Sequence, residues 1–372
     1  MKKILIITTG GTLAMSRNEN NQLVPDGDNK VSKMINDDFS AVAEIDLIDA
    51  FNIDSSNITT ENWHTLTQII EANRPKYDGF VITHGTDTLA FTAAALSYAG
   101  GDFSKPIAIT GAQVPMNTSG SDTSMNLSNS IEIILSGKVK GVFTVFGSHV
   151  LTGTRIKKVS EFEYNAFYSL NATPLAEIGA FIKYDAIKVA KHNHDYASRP
   201  FIDKFDMDKI AVFNLNPGFN QNLVKTGVLN GDISAIIIRS YADGNTNMVE
   251  LEELYKWLQE KQIPVCHISQ PDRGTTTMNV YEVGIEAKKL GVVPAFDMTT
   301  ESLSTKMGWL LAQGLDYEGI RQGLATNYCG EIKIPTTIND TAEEAMTNED
   351  VLQNIKIAQK HIELNMPETS KE

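Results

Sequence analysis

Two stretches of this chain place threonine hydroxyls directly after a short apolar run. The first is Ile4-Leu5-Ile6-Ile7-Thr8-Thr9-Gly10-Gly11-Thr12, and the second is Gly79-Phe80-Val81-Ile82-Thr83-His84-Gly85-Thr86-Asp87-Thr88. A hydroxyl is a weak nucleophile at neutral pH and needs a base beside it or a lowered pKa. Thr12 follows Gly10-Gly11, a pair that lets a substrate approach closely and offers backbone N–H donors. The same position also suits a helix cap or a phosphate cradle. Thr86 could be a nucleophile or a proton relay. Asp87 could hold the ammonium group of an amino-acid substrate. Asp87 and Thr88 also suit the N-cap of a helix starting near Leu89. Lys158 becomes a base only if it shares a dry pocket with such a hydroxyl; otherwise it is a surface lysine, as Lys157 is expected to be. Ser55, in Asp54-Ser55-Ser56, could donate to a carboxylate, and that triplet is also ordinary turn chemistry.

Several rival chemistries lack their signatures. The first junction is not G-x-G-x-x-G, and the chain has no Walker A motif. His64, His84 and His149 suggest a Ser–His–Asp site, but no G-x-S-x-G elbow accompanies them, and His84 sits in a tight turn where it would brace the backbone.

The apolar runs ahead of each polar turn read as buried parallel strands, and such sheets bind ligands just past their strands' carboxyl ends. Both junctions would then line one pocket. Further strands, Ile107–Thr110 and Val142–Phe146, end in Gly111-Ala112-Gln113 and in a Gly-, Ser- and Thr-rich stretch running to Lys158. Leu89–Ala99 reads as a helix. The expected fold class is α/β: a larger N-terminal doubly wound domain with a mostly parallel sheet, and a smaller C-terminal α/β domain with a parallel sheet. Residues 1–185 form the first and 209–333 the second. Residues 186–208, where periodicity is weak around Lys191–Asp195 and Pro200, read as a linker, and 334–372 as an acidic, partly helical tail.

The net charge of −14 disfavours nucleic acid and anionic membrane as partners. The longest apolar runs fall far short of the ~18 residues that suggest a membrane span. Met1-Lys2-Lys3 precedes only four apolar residues, too few for a signal peptide, and Cys266 and Cys329 make no metal-ligand pattern. A cytoplasmic protein with neither metal nor organic cofactor is expected.

The T-G-G-T and H-G-T-D-T stretches, the Asp-Ser-Ser triplet and the Arg155-x-x-Lys158 element resemble the bacterial-type L-asparaginases over residues 1 to about 333. The resemblance implies hydrolysis of L-asparagine to L-aspartate and ammonia, with L-glutamine a weaker substrate. It implies Thr12 as nucleophile, with Thr86, Asp87 and Lys158 as the companion triad. Asp87, Ser55 and the Asp54 backbone would hold the substrate's α-amino and α-carboxylate groups, with Gly11 and Ala112 completing the binding set. The missing secretion signal, with Asp-Ser-Ser and Phe296–Thr299, resembles the cytoplasmic type I branch, and the expected assembly is a homodimer or a dimer-of-dimers tetramer. Many members activate the first threonine with a loop tyrosine. Here no tyrosine lies between Thr12 and Tyr77, and Leu23 takes the place. Some relatives use a smaller-domain tyrosine across a dimer interface. Tyr281 matches it, and either activates Thr12 or packs at an interface. Two other functions fit the same fold: the amidase subunit of a tRNA-dependent amidotransferase, which would be expected to carry an extra amino-terminal domain, and a non-catalytic amino-acid sensor.

Overall fold

The structure is a computed structural model that describes residues 1–10, 42–116 and 118–333, with the backbone alone of 15–17 and 23–25. Gly11, Thr12 and the expected acidic tail lie outside the described residues. Two compact units divide the chain, Met1–Asp203 and Lys204–Glu372.

The first unit is built on β1 (Lys2–Gly10), β2 (Met15–Arg17), β3 (Leu23–Pro25) and β4 (Ala43–Ile53), then α1 (Thr60–Asn73) and β5 (Gly79–Thr83). It continues through α2 (Leu89–Ala99), β6 (Ile107–Thr110), α3 (Thr123–Ser136), β7 (Val142–Phe146) and β8 (His149–Thr152). The strands β9 (Ile156–Lys158), β10 (Phe167–Ser169), β11 (Ala176–Ile178) and β12 (Ile182–Tyr184) precede α4 (Ala186–Asp195). Eight strands form one sheet in the order β12-β11-β8-β7-β6-β5-β1-β4. The pairs from β4 to β7 are parallel, and β8, β11 and β12 extend the sheet antiparallel. The expected fold class therefore holds.

Strand order reverses at β1, whose neighbours β4 and β5 lie on opposite sides. A crevice opens at the carboxyl end of such a switch point. Continuous apolar runs make this possible: Ile4 to Ile7 in β1 and Phe80 to Ile82 in β5 are fully buried, as strands covered on both faces require. Ile4, Ile6, Val81, Ala108 and Phe143 pack with Leu127, Ile131 and Ile134 of α3. Each such side chain contributes roughly 1.5–3 kcal/mol on burial. Helix α2 is buried at every residue but Phe91, so its alanine-rich surface packs all round rather than along one stripe.

The stretch from 186, expected to be a linker, begins as helix α4. Asp185 caps it by accepting from Lys188 N at 3.1 Å, and Val189 and His192 turn inward. His192 accepts a core position because Nε2 meets the Lys140 carbonyl at 2.8 Å while its ring lies 4.5 Å from that of Tyr196. A histidine among lysines hid the amphipathic spacing 189, 192, 196.

The second unit contains β13 (Ile210–Asn214), α5 (Gln221–Asn230), β14 (Ala235–Ser240), α6 (Met248–Glu260), β15 (Val265–Ser269) and α7 (Glu282–Lys289). After β16 (Val293–Pro294) follow α8 (Thr300–Leu311) and α9 (Tyr317–Ala325). The four strands pair in parallel, in sequence order. Ile236, Ile238, Leu251, Leu254 and Leu258 lie at its core. Lys306 and Glu331, both with no exposed side-chain surface, pair at 2.8 Å. Glu331 also accepts from Cys329 N at 2.8 Å. Burial alone would raise its carboxyl, but the ammonium and the N–H donors hold it below the usual range.

Candidate active site

The parallel register puts Thr8 opposite Thr83, so β1 and β5 deliver their polar ends side by side. Thr9 Oγ1 donates to the Thr83 carbonyl at 2.9 Å, which ties the two ends together. Gly10 has φ +94°, and a Cβ there would come within 2.6 Å of Ile53 N. Only glycine fits that close a crossing of β4. Thr8 Oγ1 bonds to Asp49 on β4.

Past β5 the chain turns at His84. This imidazole is fully buried; Nδ1 lies 2.7 Å from the Gly85 carbonyl and Nε2 lies 2.9 Å from Thr92 Oγ1. A neutral ring satisfies both contacts by donating to the carbonyl and accepting from the hydroxyl. Thr92 in turn accepts from Trp63 Nε1 at 3.0 Å. Burial pushes the ring's pKa down to about 4, so it remains neutral and braces the turn.

The braced turn presents Thr86, which is 8% exposed. Asp87 follows, and its backbone N–H donates to Ser55 Oγ at 3.2 Å. Thr88 stands at the N-cap of α2 without capping it; its hydroxyl donates instead to the Ser55 carbonyl at 2.7 Å. Ser55 is buried in the short turn Ser55–Asn57 that follows β4. Asp54, exposed at the start of this turn, accepts from Ser56 N at 2.8 Å and Ser56 Oγ at 2.7 Å. The Ser56 N–H is the main cause holding the Asp54 carboxyl below its ordinary value.

Lys158 enters from β9, where successive side chains alternate sides. Its Nζ lies 2.8 Å from Thr86 Oγ1 and 2.7 Å from Asp87 Oδ1. The ammonium side chain is 22% exposed and the carboxylate 60%. One nitrogen therefore joins a buried hydroxyl to an open carboxylate, a geometry in which protons can pass between amine and hydroxyl. The remaining lone pairs of Asp87 are open to a cationic ligand group.

The structure thus brings Thr86, Asp87, Lys158 and Ser55 into one set of hydrogen bonds, with Asp54 adjacent in sequence. Ala112 is 1% exposed, just past β6. Tyr281 belongs to the second unit, half exposed at the N-cap of α7. Among the described residues, no group of three His, Cys, Asp or Glu side chains could hold a metal ion. Sequence reasoning missed Asp122 and Asn126, which hold the loop after β6. Asp122 stands at the N-cap of α3, yet its side chain makes no cap bond to that helix.

A family model described as "Asparaginase, N-terminal" matches residues 3–192, and one described as "Glutaminase/Asparaginase C-terminal domain" matches 209–324. L-asparaginase 1 of Escherichia coli (strain K12) is 32% identical over 336 residues, covering 89% of this chain and 98% of its own. A glutamyl-tRNA(Gln) amidotransferase subunit of Pyrococcus horikoshii is 30% identical over 351 residues, or 91% of this chain and 78% of its own. L-asparaginase I from Vibrio cholerae, a solved structure, matches with TM-score 0.80 at 28% identity, covering 90% of this chain and 99% of that one.

Proposed function

This chain belongs to the asparaginase family, and on that premise we propose that it hydrolyses the side-chain amide of L-asparagine to L-aspartate and ammonia. One observation carries the reading: Lys158 Nζ within hydrogen-bond reach of both Thr86 Oγ1 and Asp87 Oδ1. A lysine spanning a hydroxyl and a carboxylate at the carboxyl end of a parallel sheet suits proton transfer to an amide leaving group.

Asp87 takes the substrate's α-ammonium, and Ser55 with the Asp54 backbone takes its α-carboxylate. Thr12 attacks the amide carbon, giving a tetrahedral oxyanion that backbone donors, Gly11 among them, stabilise. The C–N bond then breaks, and ammonia leaves with a proton delivered along Lys158 and Thr86. Water cleaves the resulting ester, returning the Thr12 hydroxyl and releasing aspartate. Tyr281 fills the role of the absent loop tyrosine by activating Thr12 from a neighbouring copy in a homodimer or tetramer. L-Glutamine is a weaker substrate, since one methylene changes selectivity by only about 1–3 kcal/mol. The enzyme works in the cytoplasm; no helix among the described residues is long and apolar enough to cross a membrane.

A second reading, the amidase subunit of a tRNA-dependent amidotransferase, is favoured by nearly equal identity to the two kinds of relative, 32% and 30%. Ammonia release by the purified chain decides. Release from L-asparagine without any tRNA supports the asparaginase, and release only in the presence of a glutamyl-tRNA acceptor supports the amidotransferase. No release under either condition leaves a binding protein and overturns the hydrolytic reading.

A further inference from the structure

Two side chains in the first turn of α3 and its cap position are spent on the loop beside the site rather than on the helix. Asp122 is 4% exposed. Its two oxygens both accept from Gln113 N at 3.0 Å, and Oδ1 also accepts from Val114 N at 2.9 Å. Asn126 has no exposed surface, and its Nδ2 donates to Asp122 Oδ2 and to the Gly111 carbonyl, each at 3.0 Å. Its Oδ1 accepts from Gly147 N at 3.0 Å. Burying a carboxylate is costly unless its lone pairs are filled, and here backbone and amide N–H groups fill them. The result joins the ends of β6 and β7 to the start of α3.

This loop adjoins the hydroxyl-bearing turn. His84 N donates to the Thr110 carbonyl at 2.8 Å. A Cβ on Gly111 would fall inside 3.0 Å of the His84 carbonyl oxygen. Any drift of Gly111–Val114 therefore moves the backbone that borders His84-Gly85-Thr86. The carboxylate makes no cap bond to α3 and reaches back nine and eight residues, to Gln113 N and Val114 N.

We propose that Asp122 and Asn126 are positioning residues that fix the Gly111–Gln113 backbone, with Ala112 at its centre, beside the His84–Thr86 turn, and so hold Thr86 in place against Lys158 Nζ. The inference rests on the asparagine-hydrolysing reading above. Ser55 and Asp87, which would hold the α-groups, have no bond to either residue and are anchored to each other instead, through Asp87 N–H to Ser55 Oγ and Thr88 Oγ1 to the Ser55 carbonyl, so binding and orientation separate. Loss of the clamp shifts Thr86 relative to the amide while leaving the α-group contacts. A misplacement of about 1 Å far from the chemistry costs up to about 10²-fold.

The test is steady-state kinetics of ammonia release from L-asparagine with wild type, Asn126→Ala and Asp122→Asn, each first checked for a native melting profile. Asn126→Ala should lower kcat by about 100-fold while KM stays within about threefold. Asp122→Asn should lower kcat by about tenfold, because Oδ1 still accepts from Gln113 and Val114 while its new NH₂ faces the amide of Asn126. Should Asn126→Ala fail to fold, Asp122→Asn and the milder Asn126→Ser carry the same comparison. Folded variants with wild-type kcat overturn the proposal alone. So does a loss of activity that merely follows the folded fraction, or a rise in KM with kcat unchanged. A wild-type protein inactive on L-asparagine overturns the underlying reading, and this inference with it.

Discussion

Replacing Lys158 with methionine removes one ammonium and leaves a side chain of similar length. Two effects follow from different parts of the geometry, and they differ greatly in size. The ion pair with Asp87 joins partners that are 22% and 60% exposed. Such a pair contributes only ~0–1 kcal/mol to stability. In a unit of this size, about 1 kcal/mol corresponds to a shift of about 2–4 °C in Tm, so Lys158→Met should melt within a few degrees of wild type. The chemical effect is larger. Losing a positioned acid–base group lowers rate by about 10²–10⁴-fold, or roughly 3–5 kcal/mol of barrier. The assay is kcat for ammonia release from L-asparagine beside a thermal melt of the same sample. Lys158→Arg sharpens it, because guanidinium restores positive charge but does not release a proton in the working range; it should remain as slow as the methionine variant. Retention of activity within about threefold in Lys158→Met, or recovery in Lys158→Arg, would refute the proton-relay reasoning.

Tyr281→Phe should lower kcat with the fold intact if its phenol activates Thr12 as proposed; a turnover equal to wild type removes Tyr281 from the mechanism. Lys306→Met leaves Glu331 buried and uncompensated, and should destabilise the protein by ~3–5 kcal/mol in denaturant unfolding. Adding Glu331→Gln should recover part of that loss, since the amide oxygen still accepts from Cys329 N. The buried rings of His84, His192 and His267 are each pushed down to about 4 by burial. An unfolded histidine titrates near about 6.5, so the unfolded chain binds protons that the folded chain refuses at lower pH. Their contribution is intact above about pH 6.5 and is lost as pH falls toward about 4. Urea midpoints measured from about pH 7.5 to about pH 4.5 should decline, and His192→Gln should flatten part of that slope.

The sequence by itself determined the α/β class and the main parallel strands β1, β5, β6, β7, β13, β14 and β15. A short unbroken apolar run such as Ile4–Ile7, bounded by threonine and glycine, reads as a strand covered on both faces, and Gly10 directly after it marks where the backbone crosses β4 closely. The helix read over Leu89–Ala99 has those bounds in the structure, because its signals are local: a polar turn before it and glycines after it. Local signals also explain an error. His192 looked like linker material until α4 packed it inward. Tertiary structure alone decided which polar groups meet. Periodicity and composition do not tell Lys158 from Lys157; only the resemblance singled Lys158 out, and the fold carries it across 72 positions to Thr86. The same holds for the neutral state of His84, which depends on Thr92 and on burial, and for the bonds from Asn126 to Gly111 and Gly147. Periodicity reports how a residue faces its own element. Partners brought together by a crossover leave no periodic trace, because the sheet order that joins them is set by packing of the whole unit.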